Sequence, residues 1–196
     1  MKRALFWLVL IAVIVAWRYE PRAHWRGMPA AHEPWQTTDN LPPPFRSGAV
    51  TITPLARYQI TAVVLSRDRY LFDQSADIAP VDLALGWGPM SVAGTINELK
   101  FSQSGRWYFY QWNGEPPLET AAIVSHSANT HCLPADAKVR RKLLNVSRHD
   151  LVTMEGFLVE VHRDNGNVWR SSLTRDDSGG GACEVFWITK IDAHSL

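Results

Sequence analysis

The stretch Asp150-Leu151-Val152-Thr153-Met154-Glu155-Gly156-Phe157-Leu158-Val159-Glu160-Val161-His162 decides the fold class. It is rich in Val and other apolar residues, and it is the strongest strand signal in the chain. Gly156 in its middle predicts a bulge or bend, as at the corner of a small barrel. The next residues, Asp164-Asn165-Gly166-Asn167, place Asn-Gly at the centre of a hairpin turn, and residues 168–173 return as the partner strand.

Working outward, further strands follow from the same cues. Glu184-Val185-Phe186-Trp187-Ile188-Thr189-Lys190-Ile191 closes the domain, and residues 58–65 open it. Residues 99–102 and 106–112 flank Gln103-Ser104-Gly105, a hairpin turn. In the second of these strands Trp107 and Phe109 face one way and Tyr108, Tyr110 and Trp112 the other. The tyrosine face is expected to be covered by protein, with a flat ligand as the alternative. Between Gly86 and Gly88, Trp87 reads as a buried plug at a tight turn rather than a ligand platform. One helix is expected after Pro134, with Asp136 as N-cap and Val139, Leu143 and Val146 as its apolar stripe. Lys138, Arg140, Arg141 and Lys142 form its solvated face. The sum is a mostly-β domain, a small barrel or bent antiparallel sheet with one helix. A basic helix followed by a strand with a central glycine resembles OB-type barrels, an analogy of fold alone.

The N-terminal part of the chain differs. After Met1-Lys2-Arg3 come fourteen unbroken apolar residues, 4–17. As a helix they would span ~21 Å, short of the ~30 Å hydrocarbon core. Trp7, Trp17 and Tyr19 at the interfaces, and Arg3 and Arg18 reaching outward, would lengthen that span. Trp17-Arg18-Tyr19-Glu20-Pro21 is a poor cleavage site, which favours an uncleaved signal anchor over residues 1–19. Residues 20–54, with Pro21, Pro29, Pro34 and Pro42-Pro43-Pro44, read as a proline-rich linker. Residues 55–196 are then the globular domain. The expected location is a bacterial inner membrane, single-pass, with the domain facing the periplasm.

Charge narrows the function classes. Residues 1–53 hold six Lys/Arg against three Asp/Glu, and residues 54–196 fourteen against sixteen. The basic excess lies beside the apolar segment, where anionic lipid would be. A slightly acidic domain lacks the footprint of a nucleic-acid binder, so no nucleic-acid partner is expected.

The chain's two cysteines mark two polar stretches, read as loops. One is Ser125-His126-Ser127-Ala128-Asn129-Thr130-His131-Cys132-Leu133-Pro134, and the other runs from Trp169 to Glu184. Four readings of the cysteines stay open. Cys132 and Cys183 could form a disulfide, which suits an exported chain and closes a loop worth ~4 kcal/mol. They could be two unpaired thiols. His126, His131, Cys132 and Cys183 could hold Zn²⁺, although no C-x-x-C or H-x-x-x-H spacing supports it, and no metal or other cofactor is assigned. Cys183 could be a nucleophile, with His131 or His126 as base and Asn129 as orienter. Arg175-Asp176-Asp177-Ser178-Gly179-Gly180-Gly181 lacks the lysine and the strand–loop–helix setting of a phosphate-binding loop. His126, Asn129, His131, Arg175, Asp176, Asp177 and Glu184 gather beside the two cysteines and are the candidate binding residues.

These two segments, together with residues 82–90, resemble small bacterial membrane-anchored proteins of uncharacterised function. The resemblance covers about residues 55–191 and implies one envelope domain, with no activity to carry over. Two functional expectations follow. The first is a membrane-anchored periplasmic binding or assembly module that recognises an envelope protein or polymer through the two cysteine-bearing loops. The alternative is a membrane-tethered hydrolase or transferase using His131 and Cys183, or a Zn²⁺ site.

Overall fold

The computed structural model describes residues 7, 22–175, 177, 179 and 181–196. The expected anchor, Trp7 apart, lies outside these residues. Among the described residues no helix is long and apolar enough to cross a membrane.

In chain order the elements are β1 (Trp35–Thr37), β2 (Phe45–Ser47), β3 (Val50–Arg69), β4 (Val81–Gly86), a 3₁₀ turn (Gly88–Ser91) and α1 (Ala93–Glu98). Then come β5 (Leu99–Ser104), β6 (Trp107–Trp112), α2 (Thr120–Ser125), β7 (Ser127–Pro134), α3 (Ala137–Asn145), β8 (Asp150–Arg163), β9 (Val168–Arg170) and β10 (Glu184–Ser195). The fold is mostly β, as the strand signals require. Among the described residues from 22 onward it carries three short helices where one was expected in the domain.

Five strands form a circuit of pairings. β3 pairs with β4, β4 with β7, β10 with β8, and β8 with β3, all antiparallel, while β7 and β10 run parallel. β3 can serve both β8 and β4 because it is 20 residues long: its first two thirds lie along β8 and its end along β4. Its burial alternates from Val50 to Thr61, the period of a half-buried strand, and both faces are buried from Ala62 to Leu65. The inner face of the circuit holds Tyr58, Ile60, Leu83, Leu85, Cys132, Met154, Leu158 and Phe186. Val139 and Leu143 of α3 and Val146 at its C-cap join the same core, so the expected stripe is the buried one. Asp136 caps that helix by accepting from the Val139 N–H at 2.8 Å.

Gly156 works by close approach. A Cβ there would collide with the Trp187 carbonyl oxygen. The register shifts fall instead on its partners, between Pro54 and Ala56 of β3 and between Ile188 and Lys190 of β10.

Three expectations change. The stretch taken as a linker lies on the domain: β1 and β2 pair with β3, β3 itself starts at Val50, and Ala23 and Ala30 are buried. The first cysteine-bearing stretch is the interior strand β7, between β4 and β10. Asn129, Thr130 and His131 are buried there, and polar residues at those positions masked the strand pattern. The partner strand after the Asn-Gly turn ends at Arg170, and residues 171–175 have no regular structure.

The β5–β6 hairpin stands apart from the large sheet and lies over its outer face. Tyr108, Tyr110 and Trp112 pack inward with Phe101 and Ile123, so protein covers much of the tyrosine face, while Tyr108 and Tyr110 stay half-buried and border a cavity. Trp107 and Phe109 are left 46% and 51% exposed.

Candidate functional site

Strand alternation builds the site. The β4–β7 register sets Asp82 opposite His131 and Val81 opposite Cys132. Cys132 therefore points to the core and His131 to the outer face, one residue apart. Asp82 is fully buried, and its Oδ2 lies 2.8 Å from His131 Nδ1. An ionised carboxylate only accepts, so Nδ1 carries the proton and Nε2 is the nitrogen left for chemistry.

The second oxygen of Asp82 is held by Arg106, whose Nη1 donates to Oδ1 at 3.0 Å. Arg106 sits at the tip of the β5–β6 hairpin. Gly105 and Arg106 both have positive φ, 57° and 68°, as a type I′ turn demands. An arginine in that conformation costs roughly 1–2 kcal/mol, and here the guanidinium makes three further hydrogen bonds. It grips Asp73 through Nε at 2.6 Å and Nη2 at 2.9 Å, and Nη2 also reaches the Ala79 carbonyl at 3.0 Å. Hydrogen bonding from Arg106 holds the Asp73 carboxyl below the usual carboxylate range. The guanidinium stacks 3.9 Å from the Tyr70 ring centroid. It thus ties the loop between β3 and β4, the hairpin and the Asp82–His131 pair into one unit.

Asn129 continues the network. Its Oδ1 accepts from Gln103 Nε2 at 2.8 Å, and its Nδ2 donates to the Arg106 carbonyl at 2.9 Å and lies 3.7 Å from Cys183 Sγ. The Trp169 ring packs against His131 with centroids 4.5 Å apart. Burial works against charge on His131, but the hydrogen bond to Asp82 and the nearby Cys183 sulfur outweigh it, and its pKa is raised.

Cys183 forms part of the wall of two cavities. The larger, about 370 Å³, is lined by His131, Arg106, Arg163, Arg170, Trp169 and neighbouring residues. The smaller, about 250 Å³, is lined by Tyr108, Tyr110, Val124, Asn129 and others, and Trp107 and Cys183 belong to both.

Among the candidates, the structure gathers Cys183, His131 and Asn129 at one place. The disulfide is not formed: Cys132 and Cys183 are both free. Cys132 faces the core, where burial pushes its thiol pKa well up, while Cys183 is on the opposite side of β7 beside Asn129. The four-donor Zn²⁺ set is scattered for the same reason, and no group of three or more His, Cys, Asp and Glu side chains placed to hold a metal occurs among the described residues. His126 is elsewhere, its Nδ1 2.9 Å from the Ala122 carbonyl and its Nε2 3.2 Å from Glu33 Oε1. Arg175 pairs with the buried Glu184, donates to Gln36 Oε1 at 2.9 Å and covers the Tyr58 ring, so these two residues seal the core. Asp177 accepts from Ser172 Oγ at 2.6 Å and reaches the smaller cavity. Asp176 lies outside the described residues.

Asp82, Arg106 and Trp169 are the site residues that sequence reasoning missed. Asp82 had a usable signal: an acid inside Val81-Asp82-Leu83-Ala84-Leu85 is a carboxylate in a buried strand, which demands a partner. Arg106 and Trp169 carry no such local mark. No protein family, curated protein or solved structure matches the chain.

Proposed function

We propose that the protein is a thiol-dependent hydrolase or acyltransferase in which Cys183 is the nucleophile, His131 the base and Asp82 the group that orients His131. The observation that carries this is the buried Asp82–His131 pair opening onto Cys183 in a cavity. His131 Nε2 takes the thiol proton as sulfur attacks an acyl carbonyl, then returns it to the leaving group. One N–H of the Asn129 amide is held by the Arg106 carbonyl, and the other, 3.7 Å from the sulfur, steadies the thiolate. Water or a second nucleophile then releases the acyl group from the thioester.

The position of the site supports the same reading. The pairing order of the circuit, the parallel β7–β10 contact and α3 between the third and fourth strands suit an OB-type barrel. On such barrels ligands bind over the second and third strands, between the loops after the first and fourth. Asp82 and His131 belong to those two strands here, Gln74 and Ser75 to the first of those loops, and Cys183 follows the fourth strand. The apolar run at residues 4–17 supports a tether to a bacterial inner membrane with the domain in the periplasm. A free Cys183 suits that compartment because its one possible intramolecular partner faces the other side of β7.

The test is native acylation by p-nitrophenyl acetate, followed by peptide mapping. Cys183 should carry the acetyl group while Cys132 stays unlabelled, and His131→Ala should slow the reaction sharply. Equal rates in the wild type and in a folded His131→Ala variant would refute the assignment. The exposed pair Trp107 and Phe109 favours a second reading, a binding or assembly module for an envelope protein or polymer. That reading requires retention of an envelope component that survives Cys183→Ala and is lost in a Trp107→Ala, Phe109→Ala double variant.

A further inference from the structure

The two cavities that meet at Cys183 are chemically unlike. The larger has three arginines, Arg106, Arg163 and Arg170, and no Asp or Glu among its described lining residues. Arg106 is spent on Asp73 and Asp82. Arg163 and Arg170 are held by acids standing outside the cavity: Arg163 Nη2 lies 3.0 Å from Asp77 Oδ1, and Arg170 Nη1 2.5 Å from Glu160 Oε2. A guanidinium has five N–H donors in a planar fork, so one contact of this kind fixes the plane and leaves edges for another acceptor. The smaller cavity differs, with Trp107, Tyr108 and Tyr110 on its wall together with Asp177.

We infer, on the reading of Cys183 as nucleophile, that the substrate is an acyl compound with two unlike ends. Its acyl part carries an anionic group held by Arg163 and Arg170, and its leaving group is flat or apolar and lies against Tyr108 and Tyr110. The reacting carbonyl sits over the sulfur between them. The thiol proton passes to His131 Nε2, the C–S bond forms as the bond to the leaving group breaks, and the proton follows the departing group. Water then hydrolyses the thioester, giving the free acid and restoring the thiol.

The experiment compares acylation of Cys183 in the full chain by three aryl esters: p-nitrophenyl butyrate, mono-p-nitrophenyl glutarate and 4-butyryloxybenzoate. The glutarate ester, after correction for its intrinsic reactivity with a free thiol, should react at least about tenfold faster than the butyrate, an advantage that shrinks as salt is added. In the Arg163→Gln, Arg170→Gln double variant the glutarate-to-butyrate ratio should fall to about one. Butyrate and glutarate reacting alike in the wild type overturns the substrate class and leaves Cys183 as nucleophile. A preference for the benzoate ester overturns the assignment of ends. No acylation of Cys183 by any of the three overturns the underlying reading.

Discussion

Strand β7 delivers its side chains to two different settings. On its inner face Cys132 lies among Leu83, Phe186 and Met154, with burial pushing its thiol pKa up. On its outer face His131 and Asn129 meet Asp82, Arg106 and Cys183. Both side chains are shielded from water almost completely, since Cys132 is 0% and His131 3% exposed. The difference is in what replaces the water. The inner face substitutes apolar contact, where a thiol is a small hydrophobe. The outer face substitutes fixed dipoles and charges, where a histidine is oriented and a thiol can be activated. Cys132 and His131, one residue apart, therefore stand in unlike surroundings, and the period of two along a strand is the cause.

The largest expected effect tests the outer face. His131→Ala should slow acylation of Cys183 by about 10²–10⁴-fold, the usual worth of a general base. Over the same period Cys132 should react only once the protein is denatured, as read by peptide mapping. Next comes Arg106→Ala, which strands Asp82 as a buried charge with one partner fewer. A loss of about 3–5 kcal/mol in urea unfolding is expected. Arg106→Lys should recover little of it, because an ammonium cannot fork between Asp73 and Asp82. Stability unchanged in both variants would mean that the hairpin tip does not tie the network together.

The cysteines themselves give a smaller, sharper contrast. Cys132→Ser brings a hydroxyl to the core and should cost about 1–3 kcal/mol. Cys183→Ser should stay within about 0.5 kcal/mol of the wild type while removing acyl transfer. Equal costs in the two variants would erase the contrast between the faces.

The smallest effect is in pH. The folded pKa of His131 is raised above its unfolded value, so the Asp82 contact stabilises the fold fully below roughly pH 6.5 and this contribution fades as pH rises through the folded value. The gap in melting temperature between the wild type and Asp82→Asn should therefore be wider at pH 6 than at pH 9. A gap independent of pH would show that the ring does not carry charge against Asp82.

Much of the architecture was legible in the chain. The Asn165-Gly166 turn, the Asp136 cap with its Val139–Leu143–Val146 stripe, the strands around Gly156 and the burial of Trp87 all follow from local rules, and the structure has each of them. β7 did not follow, because Asn129, Thr130 and His131 imitate a loop, and their burial is bearable only with partners supplied by β4 and the hairpin. The site was half legible. Cys183, His131 and Asn129 could be named from residue type, but their joining required Asp82 from β4 and Arg106 from a turn 23 residues before Asn129.

By itself, then, the sequence determined the elements, because periodicity, caps and turn residues act within a few positions of one another. It also determined the unequal charge and the apolar N-terminal run. Only the tertiary structure decided that the cysteines face opposite sides of β7, that stretches of residues 22–54 pair with β3 or pack on the domain, and that an imidazole held by a buried carboxylate shares one cavity with a thiol. Those relations depend on register between strands far apart in the chain, where a shift of one residue would turn His131 to the core and Cys132 to the cavity.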